Sequence, residues 1–321
     1  MGNKRLVWWN GDLIHESEAR ISIYDSALMF GDTVFEMTRS FNKKHFKLRE
    51  HLERLYASAK YLHIDMPFGI DQLEQAVHET TEANKEAFAE DDECRVMIDV
   101  TRGLLSIYEG IEGIKPGVNV IISIFPLRWT VRGMGKLFDM GINLVIPNQR
   151  QIPSYLLETK VKNRNRIHYL MANIEASRTG DWPLMLDPDG FVTEGAYNFV
   201  MVKGKCLLTP RHNVLQGISR DFVKELGQGS EWIETDIMPY DVYQADEAFI
   251  TATPFCMLPV VSLNGIKIGD GKPGPLYSLL LRKWALQVNV NIPGQIQKWD
   301  IENENFNEGV SPYGFRRAHN G

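Results

Sequence analysis

The stretch Glu158-Thr159-Lys160-Val161-Lys162-Asn163-Arg164-Asn165-Arg166 runs directly into Ile167, Leu170, Met171 and Ile174, apolar residues at amphipathic-helix spacing. It places Lys162 where an extended segment turns into a helix. An amine at such a junction loses water on one side, as Schiff-base chemistry needs. A lysine in a basic run is ordinarily a solvated surface charge, so the stretch acquires meaning only from partners elsewhere in the chain.

The bulk composition narrows what those partners serve. The chain has 321 residues, 44% of them hydrophobic and 24% charged, which suits a globular protein with a sizeable core and one large or two medium domains. A net charge of −6 argues against nucleic-acid binding through bulk electrostatics. Cys94, Cys206 and Cys256 are scattered and odd in number, which fits free thiols in a reducing compartment and neither a disulfide framework nor a metal site. No apolar run approaches the ~20 residues of a membrane span. The opening residues lack a signal-peptide core, and the expected location is the cytoplasm.

Taken in order, residues 5–24 read as a hairpin in which 6–9 and 19–23 flank Asn10-Gly11, a type I′ turn signal. Residues 35–41 alternate as a strand, with Phe35, Met37 and Arg39 on one face and Glu36, Thr38 and Ser40 on the other. Arg39 on an apolar face either snorkels to solvent or lines a pocket for an anion. Leu48, Leu52, Leu55, Ala59 and Leu62 predict a helix over 47–62, with Arg54 beside the stripe. A second helix is predicted over 71–88, and Glu90-Asp91-Asp92-Glu93 reads as a solvated loop. Strands follow at 95–103 and 118–125.

Residues 126–138 read as a connector. In the second half, strands at 142–147, 198–202, 206–209 and 249–253 surround the helix after Lys162, and 259–263 pairs with 266–268 across Asn264-Gly265. Ser219 is the expected N-cap of a helix opening at Gly217, and residues 276–288 form the last helix. Many strands joined by tight turns predict an α+β fold with mixed or antiparallel sheets and flanking helices. The expected organisation is a small domain over 1–125, a large domain over 139–295 and a polar, Gly-rich tail over 296–321.

Three features of the second half suit one chemistry. Lys162 offers an amine and Glu194 a carboxylate at a strand end. Gly217-Ile218-Ser219, at a helix N-terminus, and Ala252-Thr253 offer donors for a phosphate. A pyridine aldehyde with a phosphate arm, pyridoxal 5′-phosphate (PLP), needs such a set.

The sequence resembles the fold-type IV PLP enzymes over roughly residues 5 to 290. The resemblance is carried by Glu50-His51-Leu52-Glu53-Arg54-Leu55 with Ala57 and Ser58, by Lys162-Asn163-Arg164-Asn165 leading to Ala172 and Glu175-Ala176, by Thr193-Glu194-Gly195 with Asn198, by Gly217-Ile218-Ser219-Arg220, and by Thr251-Ala252-Thr253. It implies a two-domain fold like that of D-amino-acid aminotransferases. It implies that Lys162 holds the cofactor aldehyde as an imine and later carries the proton between the substrate Cα and the cofactor. Lys160 is the rival, but only Lys162 has Asn three residues on and the Glu-Ala pair at +13 and +14. By the same resemblance Glu194 keeps the ring nitrogen protonated, Arg54 pairs with the phosphate beside Ile218, Ser219, Ala252 and Thr253, and Leu215 packs on the ring.

Phe30, Phe35, Arg39 and Arg95 fall where branched-chain aminotransferases place substrate residues. This chain departs from that pattern at Glu93, where an aromatic is usual, and at Ile167, where a tyrosine is usual. It also lacks the loop of the D-amino-acid enzymes after Gly103. The expected activity is amino transfer from a branched-chain-like amino acid to a 2-oxo acid such as 2-oxoglutarate. The alternatives are an R-selective amine or D-amino-acid transaminase, and, with less support, a lyase of the aminodeoxychorismate type. The resemblance also implies a homodimer.

Overall fold

The computed structural model describes residues 5–113 and 115–302. The chain divides into two units: the first takes residues 1–129 together with Lys160–Arg166, the second takes Thr130–Thr159 and the chain from Ile167 onward.

In the first unit, strands β1 (Leu6–Trp9) and β2 (Asp12–His15) form a hairpin, followed by a short helix α1 (Ser26–Phe30) and the long strand β3 (Thr33–Phe41). Strand β4 (Lys44–His45) turns back on β3 and leads into helix α2 (Leu48–Tyr61), then α3 (Ile70–Ala83), β5 (Cys94–Thr101) and β6 (Asn119–Pro126). The six strands make one antiparallel sheet in the order β2-β1-β6-β5-β3-β4. One face carries the core. Leu48, Leu52, Leu55 and Ala59 of α2 and Leu73, Ala76 and Val77 of α3 pack on Val34, Val96, Ile98, Val100, Val120, Ile122 and Ile124. Each of the Leu, Ile and Val side chains contributes about 1.5–3 kcal/mol by leaving water.

The first hairpin differs from its expected form. Asn10 and Gly11 both have positive φ, as a two-residue I′ turn requires, and such a turn pairs the residues immediately beside it. Trp9 therefore faces Asp12, and the returning strand is 12–15, not 19–23. The acidic run is not a solvated loop either. Asp92 and Glu93 are each only 4% exposed. Arg128 pairs with Asp92 and Asp91. Glu93 accepts the backbone N–H of Asn42 at 2.8 Å and of Lys43 at 3.2 Å and the Ser40 hydroxyl, which fixes the β3–β4 turn. Burial is tolerated for these carboxylates because donors satisfy them.

In the second unit, α4 (Arg128–Val131), in which the division falls, leads to α5 (Leu137–Met140), β7 (Ile142–Val145), α6 (Ile167–Ala176) and β8 (Trp182–Pro183). Strands β9 (Asn198–Lys203) and β10 (Cys206–Pro210), helix α7 (Ile218–Leu226), strand β11 (Glu231–Thr235) and helix α8 (Pro239–Tyr243) follow. The described chain ends with β12 (Glu247–Ala252), β13 (Cys256–Leu263), β14 (Ile266–Lys267), α9 (Pro275–Val288) and α10 (Ile292–Ile301). The sheet is mixed, in the order β11-β10-β9-β12-β13-β7-β8 with β14 on β13. Pairs β10–β11, β13–β7 and β7–β8 are parallel.

Helix α9 buries Tyr277, Leu280, Leu281 and Trp284, and Trp284 meets Phe222 of α7 edge to face at 4.9 Å. Gly217, in extended conformation, is the N-cap of α7, so the helix opens two residues earlier than a Ser219 cap would give. The apolar spacing after Lys162 does form a helix, but Ile167, Met171 and Ile174 face outward while His168, Ala172, Asn173 and Ala176 are buried. Residues 292–301 are helical with Trp299 buried, so regular structure continues into the stretch read as tail; residues 303–321 lie outside the described residues. Among the described residues no helix is long and apolar enough to cross a membrane.

Candidate active site

Lys162 belongs to the first unit because it completes a strand edge. Phe35 N–H donates to the Lys162 carbonyl at 2.9 Å, and Arg164 N–H donates to the Thr33 carbonyl at 2.8 Å. With Val34 opposite Asn163, this antiparallel pairing sets Lys162 opposite Phe35 and on the same face of the sheet. The Lys162 ammonium lies 5.0 Å from the centre of the Phe35 ring, and its own N–H donates to Ser58 Oγ at 3.2 Å. Arg164 stacks on the same ring at 3.9 Å and pairs with Asp99 at 2.7 Å. Lys162 is half-buried, whereas Lys160 is exposed.

The face shared by Lys162 and Phe35 continues along the register. Met37 lies opposite Met97, and Arg39 opposite Arg95. Arg95 donates to the thioether sulfurs of Met37 at 3.0 Å and Met97 at 3.4 Å. Arg39 is only 1% exposed, covers the Phe41 ring at 3.9 Å and donates through Nε to the Ser40 carbonyl at 3.1 Å. It therefore does not snorkel to solvent. Phe30, at the end of α1, is exposed and does not join this strip.

Arg54 works on the opposite, helix-covered face. Glu36 points inward from β3 and accepts Arg54 Nε at 2.6 Å and Nη2 at 3.0 Å, a two-pronged pairing. His51 Nδ1 lies 2.7 Å from the same carboxylate. Burial acts to raise the pKa of Glu36, but the Arg54 charge and the hydrogen bonds from Arg54 and His51 outweigh it and hold this carboxyl well below the usual range. Burial lowers His51, only partly offset by Glu36. His51 is thus a neutral ring donating from Nδ1, and Arg54 is the true counter-charge. Spacing of three and four along α2 aligns His51, Arg54 and Ser58 toward the sheet.

In the second unit Glu194 is 3% exposed and accepts bonds from Tyr169, Leu215 and Asn198. Tyr169 Oη donates to Oε1 at 2.6 Å, Leu215 N–H to Oε1 at 3.0 Å and Asn198 Nδ2 to Oε2 at 2.8 Å. Asn198 Nδ2 also reaches the Leu215 carbonyl at 2.8 Å, which closes a ring of bonds around the acid. Two residues on, Gly217 lets the chain approach Asn198 so closely that a Cβ there would fall 1.8 Å from Asn198 Oδ1. That approach starts α7, whose N-terminal amides at Ile218 and Ser219 suit an anion. Ala252 ends β12 and Thr253 follows it, both half-buried, and α7 packs against β12. Tyr169 was invisible to motif reasoning, because nothing in the sequence says which tyrosine of a helix reaches a carboxylate 25 residues away.

An amine beside an aromatic ring, a carboxylate locked by donors and a helix N-terminus opened by glycine are the chemical parts that an aldehyde cofactor with an anionic arm requires. Comparison with known proteins gives the same class. Residues 33–263 match the family model described as amino-transferase class IV. A putative branched-chain-amino-acid aminotransferase of Methanocaldococcus jannaschii is 33% identical over 286 residues, covering 87% of this chain and 94% of its own. The branched-chain-amino-acid aminotransferase of Escherichia coli K12 is 29% identical over 285 residues, covering 84% and 88%. A crystal structure of the E. coli enzyme superposes with a TM-score of 0.79 at 27% identity, covering 91% of this chain and 96% of that one. The T.th. branched-chain amino acid aminotransferase complexed with N-(5′-phosphopyridoxyl)-L-glutamate gives 0.77 at 26% identity, covering 92% and 97%.

The chain belongs to the class IV aminotransferases. It is an enzyme that transfers amino groups, and its cofactor is PLP.

Proposed function

We propose that the protein moves an amino group between a branched-chain-like amino acid and a 2-oxo acid such as 2-oxoglutarate, with Lys162 as the catalytic residue. The observation that carries this reading is the shared face of the first sheet. The lysine amine, the Phe35 ring, the Met37 and Met97 thioethers and the Arg95 guanidinium lie along it in register. An aliphatic side chain suits the ring and the thioethers, and a carboxylate suits the arginine.

When bound, PLP supplies an aldehyde carbon for the amine and a ring that withdraws electron density from the substrate Cα. Lys162 Nζ would hold the aldehyde carbon, and the free amine would serve as the base for the substrate Cα proton. Glu194 holds the proton on the ring nitrogen. Arg54, the α7 amides at Ile218 and Ser219, and Ala252 and Thr253 hold the phosphate, while Leu215 packs on the ring. Glu36 orients the Arg54 guanidinium through two bonds, which leaves its position preset before any anion arrives. Phe35 and Arg95 act on the substrate; the enclosure of Arg39 against the Phe41 ring gives it a supporting part beside Arg95.

The enzyme works as a homodimer in the cytoplasm. The outward apolar residues Ile167, Met171 and Ile174 of α6 and three cysteines that form no disulfide support that reading. Light scattering then gives twice the chain mass.

The test of activity is amino transfer from L-leucine and L-valine to 2-oxoglutarate, followed as glutamate formed. A protein that leaves both untouched overturns the substrate assignment. Preference for R-amines or D-amino acids in a chiral donor panel replaces it.

A further inference from the structure

The acid that the proposed reaction places on the cofactor ring nitrogen is not oriented by its own strand alone. One of its side-chain partners is Tyr169, whose hydroxyl donates to Oε1 at 2.6 Å, within the short range of bonds to an ionised acceptor. The hydroxyl is itself held. Gln151 Nε2 donates to Tyr169 Oη at 2.8 Å, which leaves the tyrosine proton directed at Glu194. Gln151 is only 1% exposed and cannot swing. Its N–H donates to the Leu186 carbonyl at 2.9 Å, and its Oε1 accepts the Ile152 N–H at 3.0 Å. The chain of donors therefore runs from a fixed amide through a phenol to the carboxylate.

Leu215 N–H shares Oε1 with Tyr169, and Asn198 Nδ2 holds Oε2. Tyr169 and Asn198 thus grip different oxygens, and together they set the plane of the group. Tyr169 makes a shorter bond to Oε1 than the Leu215 amide does, and so tightens the hold on that oxygen while Asn198 holds the other. The tyrosine ring packs on His168 at 4.3 Å, a contact that phenylalanine retains.

We infer that Tyr169, held by Gln151, is a positioning residue that fixes Glu194 toward the cofactor ring nitrogen. It does not touch the reacting atoms. The inference rests on the placement of Glu194 proposed above, and its test separates the two.

Tyr169→Phe, Glu194→Gln and the double variant are prepared as holoenzymes, with circular dichroism to establish the fold. Three quantities are read: kcat and KM, the pH midpoint of the bound cofactor's visible absorbance, and the dissociation constant of PLP from reconstituted apoprotein. Y169F is expected to lower kcat about tenfold, the scale of one hydrogen bond to a charged group, with KM within about twofold. It also moves the absorbance midpoint by about half a pH unit or more and weakens PLP binding. In the double variant Y169F adds nothing beyond E194Q, because its effect passes through that acid.

A Y169F enzyme with wild-type kcat and absorbance midpoint, beside a defective E194Q enzyme, overturns the positioning role alone. Additive defects in the double variant do the same. An E194Q enzyme with unchanged spectrum and turnover overturns the placement of Glu194, and this inference with it.

Discussion

Glu36→Gln removes one charge from a buried ion pair. Glu36 is 1% exposed, and its carboxylate accepts two bonds from Arg54, one from His51 and one from the Met37 N–H at 3.2 Å. Glutamine keeps the shape, and neutral His51 still has an oxygen to donate to. Arg54 is the partner that loses. Its side chain is only 14% exposed, so the cation has little water to fall back on. At an effective dielectric of about 20 and about 4 Å between charges, the lost attraction is about 4 kcal/mol. Measured losses for one partner of a buried pair run about 3–5 kcal/mol. Urea denaturation of the apoprotein should therefore show about 3–4 kcal/mol less stability at pH 7, with the slope unchanged.

Two further readings make that test sharper. If Arg54 grips the cofactor phosphate, the phosphate gives the stranded cation a new anion, and the holoenzyme loses less than the apoprotein. The second reading is pH. The folded pKa of Glu36 is depressed, so its contribution is present above the unfolded value of about 4.3 and fades as pH falls below it. The gap between wild type and E36Q should close in acid. A loss under about 1 kcal/mol at pH 7, the range of exposed pairs, would refute the reasoning.

Other outcomes follow from the same structure. Lys162→Ala should abolish the visible absorbance of lysine-bound cofactor with the fold retained, whereas Lys160→Ala keeps it; the reverse pattern moves the amine by two residues. Gly217→Ala forces a methyl onto Asn198 Oδ1 and should cost about 1–3 kcal/mol of local packing, read as PLP affinity weakened tenfold or more in the apoprotein titration. Glu93→Ala leaves the Asn42 and Lys43 N–H groups and the Ser40 hydroxyl without this acceptor and should cost about 2–4 kcal/mol in thermal or urea unfolding. His45 is held down to about 4 by burial and, secondarily, by His78. Its neutral form stabilises the fold above about 6.5, and that stability is lost as pH falls from about 6.5 toward 4, by up to about 1.4 kcal/mol per unit. His51, also lowered by burial, adds to the same limb. His45→Gln should make the limb shallower, and an unchanged slope in urea titrations at pH 7, 5.5 and 4.5 would count against it.

Much of the architecture was legible because local chemistry and global fold agree. The leucine spacing of α2 gave its face, the alternation along β3 gave its two sides, and Asn264-Gly265 gave a turn whose two positive φ values only such residues adopt readily. The misreadings have physical causes. A two-residue turn dictates the strand that touches it, so Asp12–His15 prevails over the more apolar 19–23. Asp92 and Glu93 look like surface charge until Arg128 and the β3–β4 amides arrive from distant positions to meet them. Helical spacing after Lys162 identified a helix but not its buried side, since apolar residues are free to face outward. Tyr169, the Glu36 pairing of Arg54 and the strand edge made by Lys162–Arg164 are all long-range pairings, which no local pattern encodes.

The lysine segment fills the edge of β3, yet in chain order it is flanked by residues of the other unit. A gene split after codon 129 would therefore yield a fragment lacking its outermost β-pairing partner. Its bared Phe35 amide and Thr33 carbonyl would invite self-association in the test tube. Adding back a synthetic peptide covering 160–166 should restore a monodisperse product, and anyone building a two-plasmid or permuted version must carry those codons along with the first piece.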